Sequence, residues 1–176
     1  MRKKILVLLV FISLSLHSHL GYGLFNVEIT GAYAGGPNGT TSNRTAGTLG
    51  AGFGLAFDID YLTNSIMLQL RVDASYFNFN RYKGDPQEMY PIFFGGRLLF
   101  GNDSIPDWLV PYVEAGVDFR IKRGFDAENG LDGGLAAGLG AEFYIHKNKL
   151  YLGLNFRYHL LKKDFWTISP SVGYRF

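Results

Sequence analysis

The strongest constraint on the fold is a period-two alternation of large apolar with small or polar residues, repeated in eight segments between residues 25 and 176. Successive side chains of a strand point to opposite faces, so this period selects β-strands over helices. In the first segment Phe25, Val27, Ile29 and Tyr33 oppose Asn26, Glu28 and Thr30. In the second, Leu49, Phe53, Leu55, Phe57, Ile59 and Tyr61 oppose Gly50, Gly52, Gly54, Ala56, Asp58 and Asp60. The third sets Ile66, Leu68, Leu70, Val72 and Tyr76 against Gln69, Arg71, Asp73 and Ser75. The fourth sets Tyr90, Ile92, Phe94, Leu98 and Phe100 against Gly95 and Arg97, with Phe93 and Leu99 blurring the pattern.

The second half repeats the rule. Leu109, Val113, Val117, Phe119 and Ile121 oppose Tyr112, Glu114, Asp118 and Arg120. Leu131, Leu135, Leu139, Phe143 and Ile145 oppose Asp132, Gly134, Gly138, Gly140 and Glu142. Leu150, Leu152, Leu154, Phe156, Tyr158 and Leu160 oppose Gly153, Asn155, Arg157 and His159. Trp166, Ile168, Val172, Tyr174 and Phe176 oppose Thr167, Ser169, Ser171, Gly173 and Arg175. An even count suits a closed antiparallel barrel with both termini at one end.

Which face meets the core decides the environment. With the apolar face inward, eight strands would have to enclose far more large side chains than such a barrel can hold. With that face outward, the Gly, Ser and charged set fills a narrow lumen. The expectation is therefore an all-β, eight-stranded, antiparallel up-and-down transmembrane barrel. Hairpins about Thr63-Asn64 and Lys147-Asn148 would put Ala56 beside Arg71, Gly54 beside Asp73, Gly50 beside Phe77, Gly138 beside Arg157 and Gly140 beside Asn155. Small residues beside large polar ones read as steric fit. Leu62–Ser65, Gly101–Asp107 and His146–Lys149 form the short connections. Segments 36–45, 80–88, 122–129 and 162–164 lie at the opposite, outward end. Phe25, Tyr61, Tyr90, Trp108, Tyr151, Trp166 and Tyr174 near strand ends read as interfacial girdles.

Residues 1–23 read as a secretory signal. Arg2, Lys3 and Lys4 precede an apolar run from Ile5 to Leu16, and Gly21-Tyr22-Gly23 supplies the small-x-small site. Twelve helical residues reach about 18 Å, short of the roughly 30 Å hydrocarbon core, which argues against an anchor. Cleavage would leave residues 24–176 as the barrel domain and take the formal charge from +2 to −1. Net charge then gives no argument for a nucleic-acid partner. The chain has no cysteine, which excludes disulfides, thiolate metal sites and lipidation on cysteine.

The ending Trp166-Thr-Ile-Ser-Pro-Ser-Val-Gly-Tyr-Arg-Phe176 resembles the last strand of outer-membrane β-barrels, which close on an aromatic with apolar residues at alternate positions upstream. Pro170 interrupts the series and is best tolerated at a bulge or at the barrel seam. From residue 24 on, the chain is similar to the small outer-membrane barrels of the OmpA transmembrane-domain and OmpX kind. That resemblance implies export to the bacterial outer membrane and contact with its lipid and lipopolysaccharide. It also implies recognition of Val172, Tyr174 and Phe176 by the barrel-assembly machinery. The external partner is left open.

The candidate functional set is the inward charge: Glu28, Arg71, Asp73, Arg97, Glu114, Asp118, Arg120, Glu142 and Arg157, with Asp58 and Arg175 on the same face. Charges in a narrow lumen are costly unless paired or wet. The expected outcome is an ion-pair network that plugs the barrel, giving a structural or surface-interacting protein that is no enzyme and uses no cofactor. The rival is a narrow solute or ion channel gated by Arg71, Glu114, Glu142 and Arg157. An enzyme reading rests on His159. Lipid A deacylases carry a serine two residues after such a histidine, but here that residue is Leu161. No metal-ligand cluster is expected, and the glycine runs at 50–54 and 133–140 lack the following helix of a phosphate loop.

Overall fold

The computed structural model describes residues 25–35, 48–79, 87–123, 130–146, 149–160 and 165–176. The segment read as a signal lies outside these, as do the longer outward connections apart from Gln87, Glu88, Lys122 and Arg123. Eight strands form: β1 Phe25–Gly35, β2 Thr48–Thr63, β3 Ile66–Phe79, β4 Gln87–Phe100, β5 Leu109–Arg123, β6 Gly130–His146, β7 Leu150–Leu160 and β8 Phe165–Arg175. Each is hydrogen-bonded antiparallel to its sequence neighbours, and β1 pairs with β8, so the sheet closes into a barrel without a free edge.

The barrel is inside-out. Ile29, Leu49 and Leu131 are 71%, 78% and 72% exposed, whereas Glu28, Arg71, Arg97 and Glu142 are buried. An apolar exterior around a charged interior is stable only with hydrocarbon outside. Leu139 lies halfway along β6 on the outer face, 59% exposed. Leu139→Lys should therefore cost about 2–4 kcal/mol in bilayer unfolding titrations. An unchanged midpoint would contradict lipid contact there.

The hairpin pairings expected from the sequence are present. Ala56 lies opposite Arg71, Gly54 opposite Asp73 and Gly50 opposite Phe77. Gly138 lies opposite Arg157 and Gly140 opposite Asn155. Some placements differ from expectation. Between Asp58↔Gln69 and Asp60↔Leu68 the β2–β3 register shifts. Ile59 is the extra residue, and the bulge takes Asp60 off the lumen face to the exposed end, where its carboxylate accepts the Tyr61 N–H at 2.7 Å. Tyr151 is fully buried in the lumen rather than in a girdle, because it shares the parity of Gly153 and Asn155. Phe93 and Leu99 also turn inward, at 1% and 2% exposed, so the blur in the fourth segment is a lumen that accepts large apolar groups.

Pro170 lies at the seam. The β1–β8 ladder runs from Thr30↔Ser171 to Tyr33↔Ile168 with no pairs between, which absorbs the missing proline N–H. Pro91 has the same effect in β3–β4, where pairing jumps from Ala74↔Ile92 to Phe77↔Met89. At the other end of the seam, the Phe176 N–H donates to the Phe25 carbonyl at 2.9 Å. Val172, Tyr174 and Phe176 all face outward, with Phe176 against the Phe25 ring.

Candidate functional site

Alternate residues of all eight strands converge on the lumen, so the inward charges of strands far apart in sequence meet. At the centre, the Arg71 guanidinium donates two bonds to Glu28, at 2.6 and 2.5 Å, and its Nε donates to Asp73 at 2.8 Å. Arg157 donates from Nε to Glu114 at 2.7 Å and from Nη2 to Asp73 at 2.6 Å. Arg97 reaches Glu142 at 2.9 Å and Glu114 at 3.2 Å. Asp73 and Glu114 thus each hold two guanidiniums, and the three arginines form one linked group. Bidentate and shared guanidinium–carboxylate bonds offset desolvation far better than isolated pairs.

Aromatic side chains complete the packing around these charges. The Arg157 and Arg97 guanidinium carbons each lie 3.7 Å from a ring centroid, of Phe93 and Tyr112 respectively. The Tyr151 hydroxyl donates to Glu28 at 2.7 Å, and Asn155 Nδ2 donates to Glu114 at 2.9 Å. These aromatics were not foreseen as part of the site. Their signal was present in the parity of Tyr112 and Tyr151 beside charged neighbours. Glycines make the room: a Cβ on Gly138 would come within 3.0 Å of Glu114 Oε1, and one on Gly54 within 2.6 Å of Asp73.

Two further groups flank the centre. Toward the end that holds the chain terminus, Arg175 pairs with Asp58, Gln69 donates to Asp58 at 2.8 Å, and the Tyr144 hydroxyl links Glu142 and Arg175. Toward the opposite end, Arg120 and Lys122 reach Asp132 at 2.6 and 3.5 Å. Lys122, expected in a connection, is a buried lumen residue of β5. In the same outer half, His159 Nδ1 lies 2.8 Å from Asp118 and Nε2 lies 3.2 Å from the Thr167 hydroxyl, with the ring stacked on Phe165. Every charge of the candidate set faces the lumen, Asp60 having left that face at the bulge, and Asp118 is joined to His159 rather than to an arginine.

The Asp118–His159–Thr167 order matches an acid–imidazole–hydroxyl relay. The space beside it is a cavity of about 30 Å³, which holds roughly two water molecules. Thr167 is buried on the lumen side, away from lipid. Among the described residues there is no group of three or more His, Asp or Glu side chains that could hold a metal ion.

No family model and no curated protein matches the chain in sequence. Solved structures do match. The attachment invasion locus protein Ail of Yersinia pestis, solved with the heparin analogue sucrose octasulfate, aligns over 88% of this chain and 99% of its own. Its TM-score is 0.60 at 14% identity. The Neisserial surface protein NspA aligns over 87% of this chain and 95% of its own, with TM-score 0.57 and 15% identity. The outer membrane enzyme PagL aligns over 85% and 98%, with TM-score 0.53 and 17% identity. At these identities the likeness is one of fold: the chain has the eight-stranded barrel fold found in bacterial outer-membrane proteins.

Proposed function

We propose that this chain is a non-enzymatic integral protein of the bacterial outer membrane, with a closed lumen and a structural or surface-interacting role. The reading rests on the central group of Glu28, Arg71, Asp73, Arg97, Glu114 and Arg157, in which every guanidinium bonds carboxylates from other strands. Opening a path requires breaking such a pair at about 3–5 kcal/mol, so open states are rare. Likeness to Ail and NspA, named for attachment and for the cell surface, supports a surface role. Residues 1–23 act as the export signal in this reading. The outward Val172, Tyr174 and Phe176 serve recognition by the assembly machinery, and the apolar belt meets outer-membrane lipid and lipopolysaccharide.

The test is ionic conductance in a planar bilayer, using protein purified from membranes of cells expressing the full chain. Folding is checked first by the gel shift between boiled and unboiled samples. The expected record is silent. Steady discrete openings would replace this reading with the narrow channel. The enzyme reading, kept in view by the likeness to PagL, is tested by the mass of lipid A from the same cells, which is expected to be unchanged.

A further inference from the structure

We infer that the outer half of the lumen holds a binding site for one monovalent alkali cation, seated in the cavity beside Asp118. This goes beyond the role proposed above and stands whether or not the lumen conducts. Asp118 lines the cavity and is fully buried. Its Oδ2 meets His159, while its Oδ1 has no hydrogen-bond partner. A buried carboxylate oxygen left so is costly unless a ligand completes it.

The charge around the cavity points the same way. Its lining includes three carboxylates, Glu28, Asp73 and Asp118, against two guanidiniums, Arg71 and Arg157. Both guanidiniums are committed to Glu28 and Asp73, and Arg157 is shared with Glu114 as well. Of the three carboxylates, Asp118 is the one that meets His159 rather than either of these guanidiniums. Hydroxyls of Thr30, Ser75, Thr167, Ser169 and Ser171 line the same space. Hard cations take oxygen ligands of this kind. A divalent ion would need several free carboxylates, and the other two are already held by arginine. The volume of about 30 Å³ admits a small ion with a water.

The test compares thermal unfolding midpoints of the protein, purified from membranes of cells expressing the full chain, in sodium, potassium or choline chloride. Ionic strength is kept equal and the pH neutral. One alkali salt is expected to raise the midpoint by about 5 °C or more over choline once the site is saturated. The difference should disappear in Asp118→Asn and shrink in Ser169→Ala. Equal midpoints in all three salts would overturn the site, as would an alkali effect that persists undiminished in Asp118→Asn. If Asp118→Asn fails to fold, the imidazole nitrogen resonances of His159 in the parent protein decide. A neutral ring at neutral pH keeps the site, and an imidazolium means that a proton supplies the missing charge. Neither result bears on the conductance record, so this inference can fail without the closed lumen failing.

Discussion

Arg157→Ala is expected to lower the stability of the folded barrel by about 3–5 kcal/mol, because it takes one of two guanidiniums from each of two buried carboxylates at once. Glu114 and Asp73 would both lose a short bond, at 2.7 and 2.6 Å, and Phe93 would lose the guanidinium stacked on its ring. Urea titration in phospholipid vesicles, read by the fluorescence of Trp108 and Trp166, measures the change. Arg157→Met keeps an apolar side chain in the space beside Phe93 and leaves Asp73 with Arg71 alone and Glu114 with Arg97 alone, so it should recover only the packing part. Combining it with Glu114→Gln removes one stranded charge, and the double variant should be more stable than the sum of the two single losses predicts. A parent-like midpoint for Arg157→Ala would mean that water replaces the guanidinium without penalty, and the network would then have no part in closing the lumen.

Gly116→Leu is expected to abolish the folded barrel altogether. Gly116 lies on the lumen face of β5 opposite Gly95 of β4 and Ala136 of β6. A Cβ built there runs into the Phe94 carbonyl oxygen and comes within 2.5 Å of the Gly95 Cα. Both are backbone atoms of a hydrogen-bonded strand and cannot rotate away, unlike the end of a flexible side chain. Overpacking a core typically costs about 1–3 kcal/mol when neighbours can yield; here they cannot, and the cost exceeds that range. The readout is the boiled-versus-unboiled gel shift: the variant should migrate as unfolded protein under both conditions. A compact band for Gly116→Leu would show that β4 and β5 can separate at this height.

The strands and most of their registers were legible in the sequence because two physical signals coincide. A two-residue turn between β2 and β3 leaves few ways to pair the flanking residues, and a slip by one would put Arg71 into lipid. A count about Thr63-Asn64 gives the Ala56–Arg71 and Gly54–Asp73 pairs, which the structure keeps although its turn falls on Asn64-Ser65, because two register shifts lie between. The bulge at Ile59 was not legible, since an extra residue keeps the local alternation and only shifts what comes after it. Asp60 was misplaced for that reason. Tyr151 was harder still: an aromatic near a strand end fits a girdle equally well, and only parity over the whole strand turns it inward.

The inward charges could be named from parity, but their partners could not. Glu28 meets Arg71 two strands away, and Arg157 meets Asp73 and Glu114 across the lumen. Such contacts depend on the tilt and stagger of the closed barrel, which strand patterns do not encode. His159 was read through an enzyme motif that its neighbour Leu161 fails. Its actual partners, Asp118 and Thr167, lie on β5 and β8.

The order in which the inward charges occur along the chain has a consequence for how the barrel forms. The first hairpin, β1–β2, carries only acids into the lumen, Glu28 and Asp58, and the last, β7–β8, carries only bases, Arg157 and Arg175, besides His159. Neither hairpin can neutralise itself. A lone hairpin exposed at the bilayer centre would bear naked charges at about 2.5–3.5 kcal/mol each. Insertion one hairpin at a time is therefore uphill from both ends. When the ends meet, Arg175 finds Asp58 and Tyr151 finds Glu28, contacts spanning 117 and 123 residues of chain. The two termini attract as the cylinder shuts, so the charges that fill the finished lumen also act as a clasp that makes membrane entry and closure a single event.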